Sequence, residues 1–382
     1  MRKWELVPLG QVASLTRDVI NPSQVGAETA YVGLENVVRG GALVNVGSVG
    51  EADLASAKFR FTERHVLFGK LRPYLAKIAR PDFDGVCSTD ILPIMPSAGL
   101  DRGYLAHFLA KPDVIELANS RATGASLPRL SPSELLKFRL PLPPLDEQRR
   151  IAEVLDRADE LRAMRREARA HLDELAQSIF LDMFGDPARN SKGLPLTPLG
   201  MLGQWRSGGT PPRSVREYFE GGIPWFSSGE LGDMYVSQSK ERVSPEALAE
   251  TSAKRVPSGS IMIGMYDTAA LKTSIAAVEC SCNQAIAFAS LDCTMADSIY
   301  IYFALRVGKE HFRRLQRGAR QKNLNVGMIR EMAIPLPPLT DQHQFHERII
   351  AAEKLDGAHQ VSLAELDALF ASLQDRAFQG ML

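Results

Sequence analysis

Several short segments combine arginine and lysine with glycine and polar side chains, a combination suited to binding nucleic-acid phosphates. The densest, residues 311–322, reads HFRRLQRGARQK, and residues 70–80 carry further basic residues around a tyrosine. Phosphate binding needs positive charge and free backbone N–H groups, and base reading needs arginine, asparagine or glutamine on reachable loops. The candidate DNA-binding residues are Lys70, Arg72, Tyr74, Lys77, Arg121, Arg129, Arg206, Arg213, Arg313, Arg314, Arg317, Arg320 and Lys322.

An ordinary solvated surface is the alternative interpretation of each basic cluster. The chain has 45 basic and 45 acidic residues and a formal net charge of +0, whereas DNA-binding proteins usually carry a basic excess. A neutral total can nevertheless hide basic patches that acidic helices balance elsewhere. Residues 146–182, with ten acidic residues against seven arginines, are such a segment.

The sequence contains no recognisable catalytic or metal-binding constellation. It has no G-x4-G-K-S/T phosphate loop, and its nearest approach to the Asn/Asp-Pro-Pro-aromatic motif of amino-methyltransferases, residues 21–23, fails at the third position. The four cysteines (Cys87, Cys280, Cys282 and Cys293) form no C-x2-C pair and have no histidine at metal-ligand spacing. We therefore expect reduced thiols, no bound metal, and a reducing cytoplasm as the location.

No segment resembles a signal peptide, and none approaches the ~20 apolar residues of a membrane span. The amino terminus, residues 1–11, reads MRKWELVPLGQ and has no apolar run. We therefore expect a soluble protein.

The chain repeats itself at a long interval. Residues 141–148 read PLPPLDEQ and residues 335–342 read PLPPLTDQ, an offset of 194 residues that also aligns the sequence on either side. Near the start of each copy the offset falls to 190, where LVPLG (6–10) matches LTPLG (196–200). A period this long excludes a solenoid and indicates a duplicated domain. Basic clusters at corresponding points of both copies favour a binding role over a solvated surface.

A long helix is predicted after each PLPPL sequence. Residues 146–183 contain no proline or glycine, and apolar residues recur at heptad spacing, which is typical of a coiled coil. The predicted seam is Ile151, Val154, Ala158, Leu161, Arg165, Ala168, Leu172, Leu175 and Ile179. The second helix, about 340–378, is less regular, because Arg348, His359 and Ser362 fall on its stripe and Gly357 interrupts it. The simplest partner for each helix is the other, paired antiparallel with a globular part at each end.

Residues 1–140 and 186–334 are predicted to be mixed α/β (α+β) domains. Strand-like runs include 30–34, 42–49, 59–68, 260–265 and 274–278, broken by glycine and polar turns. Short helices with one apolar face are predicted at 104–109 and 299–307.

The order of globular part, PLPPL sequence and long helix, repeated twice, resembles that of the specificity subunits of type I restriction–modification systems. The resemblance spans the whole chain and includes the two openings, WELVPLG (4–10) and LPLTPLG (194–200), and GIPW at 222–225. It implies target-recognition domains at 1–140 and 186–334, and spacer helices at 141–185 and 335–382. Asp341 stands where glutamate is usual, a difference that bears on partner contacts.

The resemblance also implies a function in bacterial defence. Each recognition domain would read one half of a split double-stranded DNA target, and the helices would set the gap between the halves. Two modification subunits, which hold S-adenosylmethionine, would dock on the helices, and restriction subunits using ATP and Mg²⁺ would complete the nuclease. This chain would hold no cofactor and no catalytic residue. Its expected partner-binding residues are Pro143, Leu145, Gln148, Pro337, Leu339 and Gln342.

Two other functions remain open at this stage. A single-chain methyltransferase or nuclease would transfer methyl groups or cut DNA without partners, and the missing motifs argue against it. A coiled-coil scaffold with protein-binding domains would show no salt-dependent affinity for DNA.

Overall fold

The computed structural model describes residues 4–52, 54–266, 270–314 and 323–382. Their contacts divide the chain into two compact units. Unit 1 consists of residues 1–167 and 359–382, and unit 2 of residues 168–358. Each unit thus combines one globular part with helix segments from both copies of the repeat. No helix in the described ranges is long and apolar enough to cross a membrane.

Unit 1 contains three sheets: a pair β1-β11, a four-stranded sheet β2-β10-β7-β8, and a five-stranded sheet β3-β6-β9-β4-β5. All strand neighbours are antiparallel except β4 and β9, which are parallel. The strands are β1 Glu5–Pro8, β2 Ala13–Leu15, β3 Val19–Ile20, β4 Ala30–Val32, β5 Gly47–Ser48, β6 Lys58–Phe61, β7 Val66–Gly69, β8 Ile78–Ala79, β9 Gly85–Cys87, β10 Ile91–Pro96 and β11 Arg139–Leu142.

Unit 2 also contains three sheets, with orders β12-β22, β13-β21-β18-β19-β15 and β16-β14-β20-β17. Here β14 runs parallel to β20, and β15 parallel to β19. The strands are β12 Leu196–Pro198, β13 Arg206–Ser207, β14 Ile223–Phe226, β15 Tyr235–Val236, β16 Glu241–Val243, β17 Arg255–Val256, β18 Ile261–Gly264, β19 Thr273–Ala276, β20 Cys280–Cys282, β21 Ile286–Ala289 and β22 Ala333–Pro335.

Two helices of 40 residues each stand out among otherwise short ones. The α-helices are α1 Leu9–Val12, α2 Arg102–Leu109, α3 Pro112–Ser120, α4 Pro132–Leu135, α5 Leu145–Phe184, α6 Leu199–Leu202, α7 Pro245–Glu250, α8 Ser298–Val307, α9 Lys309–Arg313, α10 Val326–Glu331 and α11 Leu339–Phe378. Short 3-10 turns lie at Pro22–Gln24, Leu34–Asn36, Pro73–Leu75, Arg216–Phe219 and Ser228–Glu230.

The mixed composition of both globular parts and the two long helices confirm the predicted fold class. The short helices predicted at 104–109 and 299–307 are the cores of α2 and α8. One strand prediction was largely wrong, because within 42–49 only Gly47–Ser48 is a strand. The side chain of Asn36 donates to the carbonyls of Val44 and Asn45. These side-chain bonds satisfy backbone groups that a strand would otherwise pair.

Both long helices follow their predicted bounds. Helix α5 starts directly after two prolines, with acidic residues in its first turn, where the helix dipole favours negative charge. It ends at Gly185, whose φ of +75° suits glycine after a helix. Helix α11 runs unbroken through Gly357, as the predicted helix bounds require. One glycine costs only about 1 kcal/mol in a helix, which tertiary packing offsets.

The helices pair antiparallel within each unit, as predicted. In unit 1, Arg150 donates to the carbonyl of Leu382, and Arg162 Nε lies 2.5 Å from Asp367 Oδ1. In unit 2, Arg169 forms a two-pronged pair with Asp356 at 2.7 and 3.0 Å. Later residues of α5 therefore meet earlier residues of α11 in both units.

The predicted seam is correct at two residues of its first position and wrong at two residues of its second, and the other five are partly buried. Ile151 and Ala158 are buried as expected, but Leu161 and Leu175 are half exposed. The buried partner positions lie one residue further on, at Leu155 and Ala176. The reason is that each helix packs against a globular part as well as the other helix, which requires a wider apolar stripe than a two-helix seam.

Each unit's core is closed by an aromatic residue from the opposite copy of the repeat. In unit 1, the ring of Phe378 lies 4.9 Å from that of Tyr104, whose hydroxyl donates to the Pro141 carbonyl. In unit 2, the ring of Phe184 lies 5.0 Å from that of Tyr300, whose hydroxyl donates to the Pro335 carbonyl. The two tyrosines therefore connect the helix ends to the strand that leads into each PLPPL sequence.

Candidate nucleic-acid interface

The glutamine of the first PLPPL motif links two helices within unit 1 through buried hydrogen bonds. Gln148 is 1% exposed, and its Oε1 accepts from the backbone N–H of Asp101 at 2.8 Å. Its Nε2 donates to the carbonyls of Gly99 (3.0 Å) and Pro143 (2.8 Å). Asp101 caps α2 by accepting from the N–H of Tyr104. The start of α5 is thereby fixed to the start of α2.

Unit 2 contains the corresponding set of hydrogen bonds. Gln342 is fully buried; it accepts from the N–H of Asp297 at 2.8 Å and donates to the carbonyls of Met295 and Pro337. Asp297 caps α8 as Asp101 caps α2. Both glutamines therefore have an internal structural role, which sequence reasoning missed because a polar residue near a helix start is usually exposed.

The other predicted partner-binding residues divide by burial. Pro143 and Pro337 are buried, while Leu145 and Leu339 are partly exposed. Of the six, only these two leucines present part of their side chains at the surface beside helix α5 or α11.

Half-exposed leucines on the long helices form a second feature that the sequence did not reveal. Leu161 of α5 and Leu369 of α11 belong to unit 1, and Leu175 of α5 and Leu355 of α11 belong to unit 2. They correspond in pairs at the repeat offset of 194 residues. Each unit therefore contains one member of each corresponding pair, and a recurring exposed apolar position is a candidate surface for a partner. The signal was present in the sequence, but heptad spacing assigned Leu161 and Leu175 to the seam.

Two basic segments of unit 1 that are about fifty residues apart in sequence lie side by side in the fold. The hairpin loop (residues 70–77) connects β7 to β8, and the Gly124 loop (residues 121–130) connects α3 to α4. The N–H of Arg72 donates to the Pro128 carbonyl at 2.7 Å, and the N–H of Leu130 donates to the Lys70 carbonyl at 2.9 Å. We call these loops together the paired-loop surface.

The paired-loop surface holds five of the predicted DNA-binding cations and the predicted tyrosine. Arg72 and Tyr74 are exposed and Lys70 is partly exposed; within the described residues Lys70 and Arg72 have no ion-pair partner. Lys77 is committed internally, since its Nζ donates to the Leu34 carbonyl.

The other two arginines of the paired-loop surface are held by acids. Arg129 forms a two-pronged contact with Asp90 at 2.9 and 3.3 Å, and the hydrogen bond to Asp90 raises the pKa of the guanidinium. Arg121 pairs with Glu134, and hydrogen bonds from Lys137 and Arg121 lower the pKa of that carboxyl. Both arginines remain about half exposed and are oriented by their partners.

The hairpin loop has an unusual backbone. The 3-10 turn Pro73–Leu75 lies between Arg72 and Ala76, each with φ of +51°. Left-handed backbone at non-glycine residues costs on the order of 1–3 kcal/mol each, and such residues cluster at functional sites. The turn directs Tyr74 and Leu75 toward solvent, where both side chains are more than a third exposed.

Unit 2 has the same backbone arrangement around its corresponding loops, which we call the paired-loop frame. The connection from β18 to β19 has the same length as that from β7 to β8; the N–H of Leu324 donates to the Met265 carbonyl, as Leu130 does to Lys70. Lys272 donates to the Gly229 carbonyl of the matching 3-10 turn, as Lys77 does to Leu34. Leu271 has φ of +60°, at the position of Ala76.

The remaining predicted residues lie in unit 2. Arg206 is exposed and lines a groove of about 590 Å³ with Arg255 and Asp292. Arg213 is exposed but oriented by its neighbours: its guanidinium lies 4.6 Å from the Phe219 ring and pairs with Glu241. Arg313 pairs with Glu310, and Arg314 is exposed. Arg317, Arg320 and Lys322 lie outside the described residues.

The cysteines have the environment expected of unreactive thiols, apart from the exposed Cys293. Cys87 and Cys280 are buried in their sheets, and burial raises the pKa of each thiol to about 12. At neutral pH they remain protonated and poorly nucleophilic. Among the residues placed in the structure, no three His, Cys, Asp or Glu side chains are grouped to hold a metal ion.

The family model of the type I restriction modification DNA specificity domain matches residues 1–172 and 197–360. The two matches cover most of the chain, which therefore belongs to this family. They also coincide with the two copies of the repeat, so the expected family resemblance is confirmed.

Individual relatives are consistent with this family assignment. The chain is 30% identical over 138 residues to the EcoDI specificity subunit of Escherichia coli, covering 35% of this chain and 31% of that one. It is 22% identical over 325 residues to the putative MjaX specificity subunit of Methanocaldococcus jannaschii, covering 78% and 74%. Alignments with three curated relatives span only 31%, 16% and 34% of their lengths. The type I S subunit structure from M. genitalium has a similar fold, with a TM-score of 0.63 at 13% identity over 98% of this chain and 96% of that one.

Proposed function

We propose that this chain is the DNA-recognition subunit of a type I restriction–modification complex, and that each unit contacts one half of a bipartite target. The observation that carries the proposal is the paired-loop frame, which carries exposed basic residues in unit 1 and recurs as a backbone arrangement in unit 2. A duplicated binding surface suits a target with two half-sites. The bond-making chemistry, with its S-adenosylmethionine, ATP and Mg²⁺, would belong to partner subunits in the cytoplasm.

The helices would supply the spacer and the docking surface. Helix α5 is uninterrupted between residues 145 and 184, so it can hold a fixed gap between half-sites. The half-exposed leucines are the proposed contacts for two modification subunits, one for each unit. Leu145 and Leu339, at the helix starts, would extend these contacts, while Gln148 and Gln342 would act only by holding the helices in place.

The function is tested by sequencing the methylated bases of a host that carries the modification subunit, with and without this chain. We expect a new methyladenine motif with two half-sites and a fixed gap. Methylation that needs no partner would instead indicate a single-chain enzyme. A complex that shows no salt-dependent affinity for DNA would indicate a scaffold.

Replacing Leu161 and Leu369 by glutamate should weaken the docking of one modification subunit. Two charges placed in an apolar contact would be desolvated without partners, so the site in unit 1 should be lost while that in unit 2 remains. Native mass spectrometry should show the number of modification subunits falling from two to one. The control is Val19→Glu, at an exposed apolar position on β3; two bound copies in the double variant would contradict the docking surface.

A further inference from the structure

We propose that the paired-loop surface of unit 1 contacts the sugar–phosphate backbone of DNA and fixes the register of this unit, while other parts of the unit read the bases. This inference rests on the proposed DNA-recognition function and divides the labour within it. Lys70 and Arg72 would then contribute to the affinity for DNA and would not discriminate between base sequences.

The charges on the paired-loop surface suit a phosphate contact. Lys70 and Arg72 have no acidic partner in the described parts of the chain, so no internal ion pair must break when they meet a phosphate. Arg121 and Arg129 stand beside them, oriented by Glu134 and by Asp90. The two unpaired cations, beside two arginines whose charges are balanced by Glu134 and Asp90, leave the touching loops with a net positive charge that phosphates match.

The composition of the same loops suits base reading poorly. The hairpin loop reads KLRPYLAK and the Gly124 loop reads RATGASLPRL, with no asparagine, glutamine or acidic residue. Adenine is read by asparagine or glutamine and cytosine by acids, so the side chains that specify these two bases are missing here, and contacts to guanine by arginine or lysine are the main base contacts left. Backbone hydrogen bonds join the two loops, which fixes their position in the way that register-setting contacts require.

The backbone frame of the paired-loop surface recurs in unit 2, but its two unpaired cations do not. Both units share the connection length, the left-handed residue before the lysine, and the lysine-to-carbonyl bond. The second large sheet of each unit differs: the sheet that contains β4 in unit 1 has five strands, and the sheet that contains β14 in unit 2 has four. The recurrence concerns the backbone frame alone, because Met265 and Asp267 stand at the positions of Lys70 and Arg72. The phosphate contact by Lys70 and Arg72 is therefore assigned to unit 1 only.

The test is a salt titration of DNA binding by the assembled complex carrying Lys70→Ala and Arg72→Ala. Fluorescence anisotropy would follow a duplex containing the methylated motif and an unrelated duplex of equal length. Loss of two phosphate contacts should lower the slope of log affinity against log salt by about 1.8. Both duplexes should weaken by a similar factor, and the methylated motif should stay unchanged.

The matched control is Arg17→Ala with Arg64→Ala, two exposed arginines near the opposite end of β7. This pair removes the same charge and should leave the slope unchanged. The inference is overturned by an unchanged slope in the loop variant, by an equal fall in the control, or by a changed base in one half-site. Failure of the proposed function is a separate result: the wild-type complex would then produce no bipartite motif.

Discussion

Replacing Phe378 by alanine is expected to destabilise unit 1 by about 3–5 kcal/mol, although Phe378 belongs to the second copy of the repeat. Its ring packs against Tyr104 and lies 5.8 Å from that of Phe108, inside the core of unit 1. The corresponding change, Phe184→Ala, should destabilise unit 2, where Phe184 packs against Tyr300 and Phe345. Each substitution leaves a cavity in a core that cannot fully collapse.

Hydrogen exchange followed by mass spectrometry separates the two effects. Phe378→Ala should lower protection in residues 4–167 and 359–382, and Phe184→Ala in residues 168–358. Leu181→Ala is the control, because Leu181 lies one turn before Phe184 on α5 but is exposed. Loss of protection in the unit of the residue's own copy would contradict the reciprocal helix exchange.

The second large effect is expected at Gln148. Substitution by leucine removes three hydrogen bonds and leaves the N–H of Asp101 and the carbonyls of Gly99 and Pro143 without partners. Gly99 is exposed, so water can replace the bond to its carbonyl. Each of the other two unsatisfied groups costs about 1–3 kcal/mol, so unit 1 should lose about 2–6 kcal/mol. Gln342→Leu should have the same effect on unit 2, for the same reason.

This prediction distinguishes a structural glutamine from a partner contact, because it is measured on the isolated chain. Urea unfolding followed by exchange protection should show the loss in unit 1 without any modification subunit present. The next residue of α5, Arg149, is exposed, so Arg149→Leu is a matched control that is expected to change the stability little. A stable Gln148→Leu chain that fails only to bind its partner would return this residue to the docking surface.

The PLPPL motif and its glutamine show which properties local sequence can predict and which it cannot. The repeat correctly marked residues 141–148 and 335–342 as special, because a motif that appears twice needs no structure to be noticed. Whether its glutamine faces a partner or a buried backbone depends on segments almost fifty residues away, such as Asp101 for Gln148. A local sequence pattern cannot show a contact with so distant a residue, so the role of Gln148 became clear only from the fold.

The basic segments show the same limit at the candidate site. Their charge was visible in the sequence, but charge density did not show that Arg213 is held by Phe219 and Glu241. Nor did it show that residues 70–77 and 121–130 touch. Backbone hydrogen bonds between loops form where strands and helices bring them together, and side-chain composition does not specify them.

The amino-acid sequence by itself determined the duplication, the mixed α/β class and the two long helices, because each depends on periodicity or on proline and glycine positions read along the chain. The tertiary structure decided which helix end closes which core, moved the buried stripe by one residue, and exposed Leu161, Leu175, Leu355 and Leu369. The physical reason is that a helix surface has several faces of comparable apolarity. The face that is buried depends on everything packed around it, here a globular part as well as a second helix.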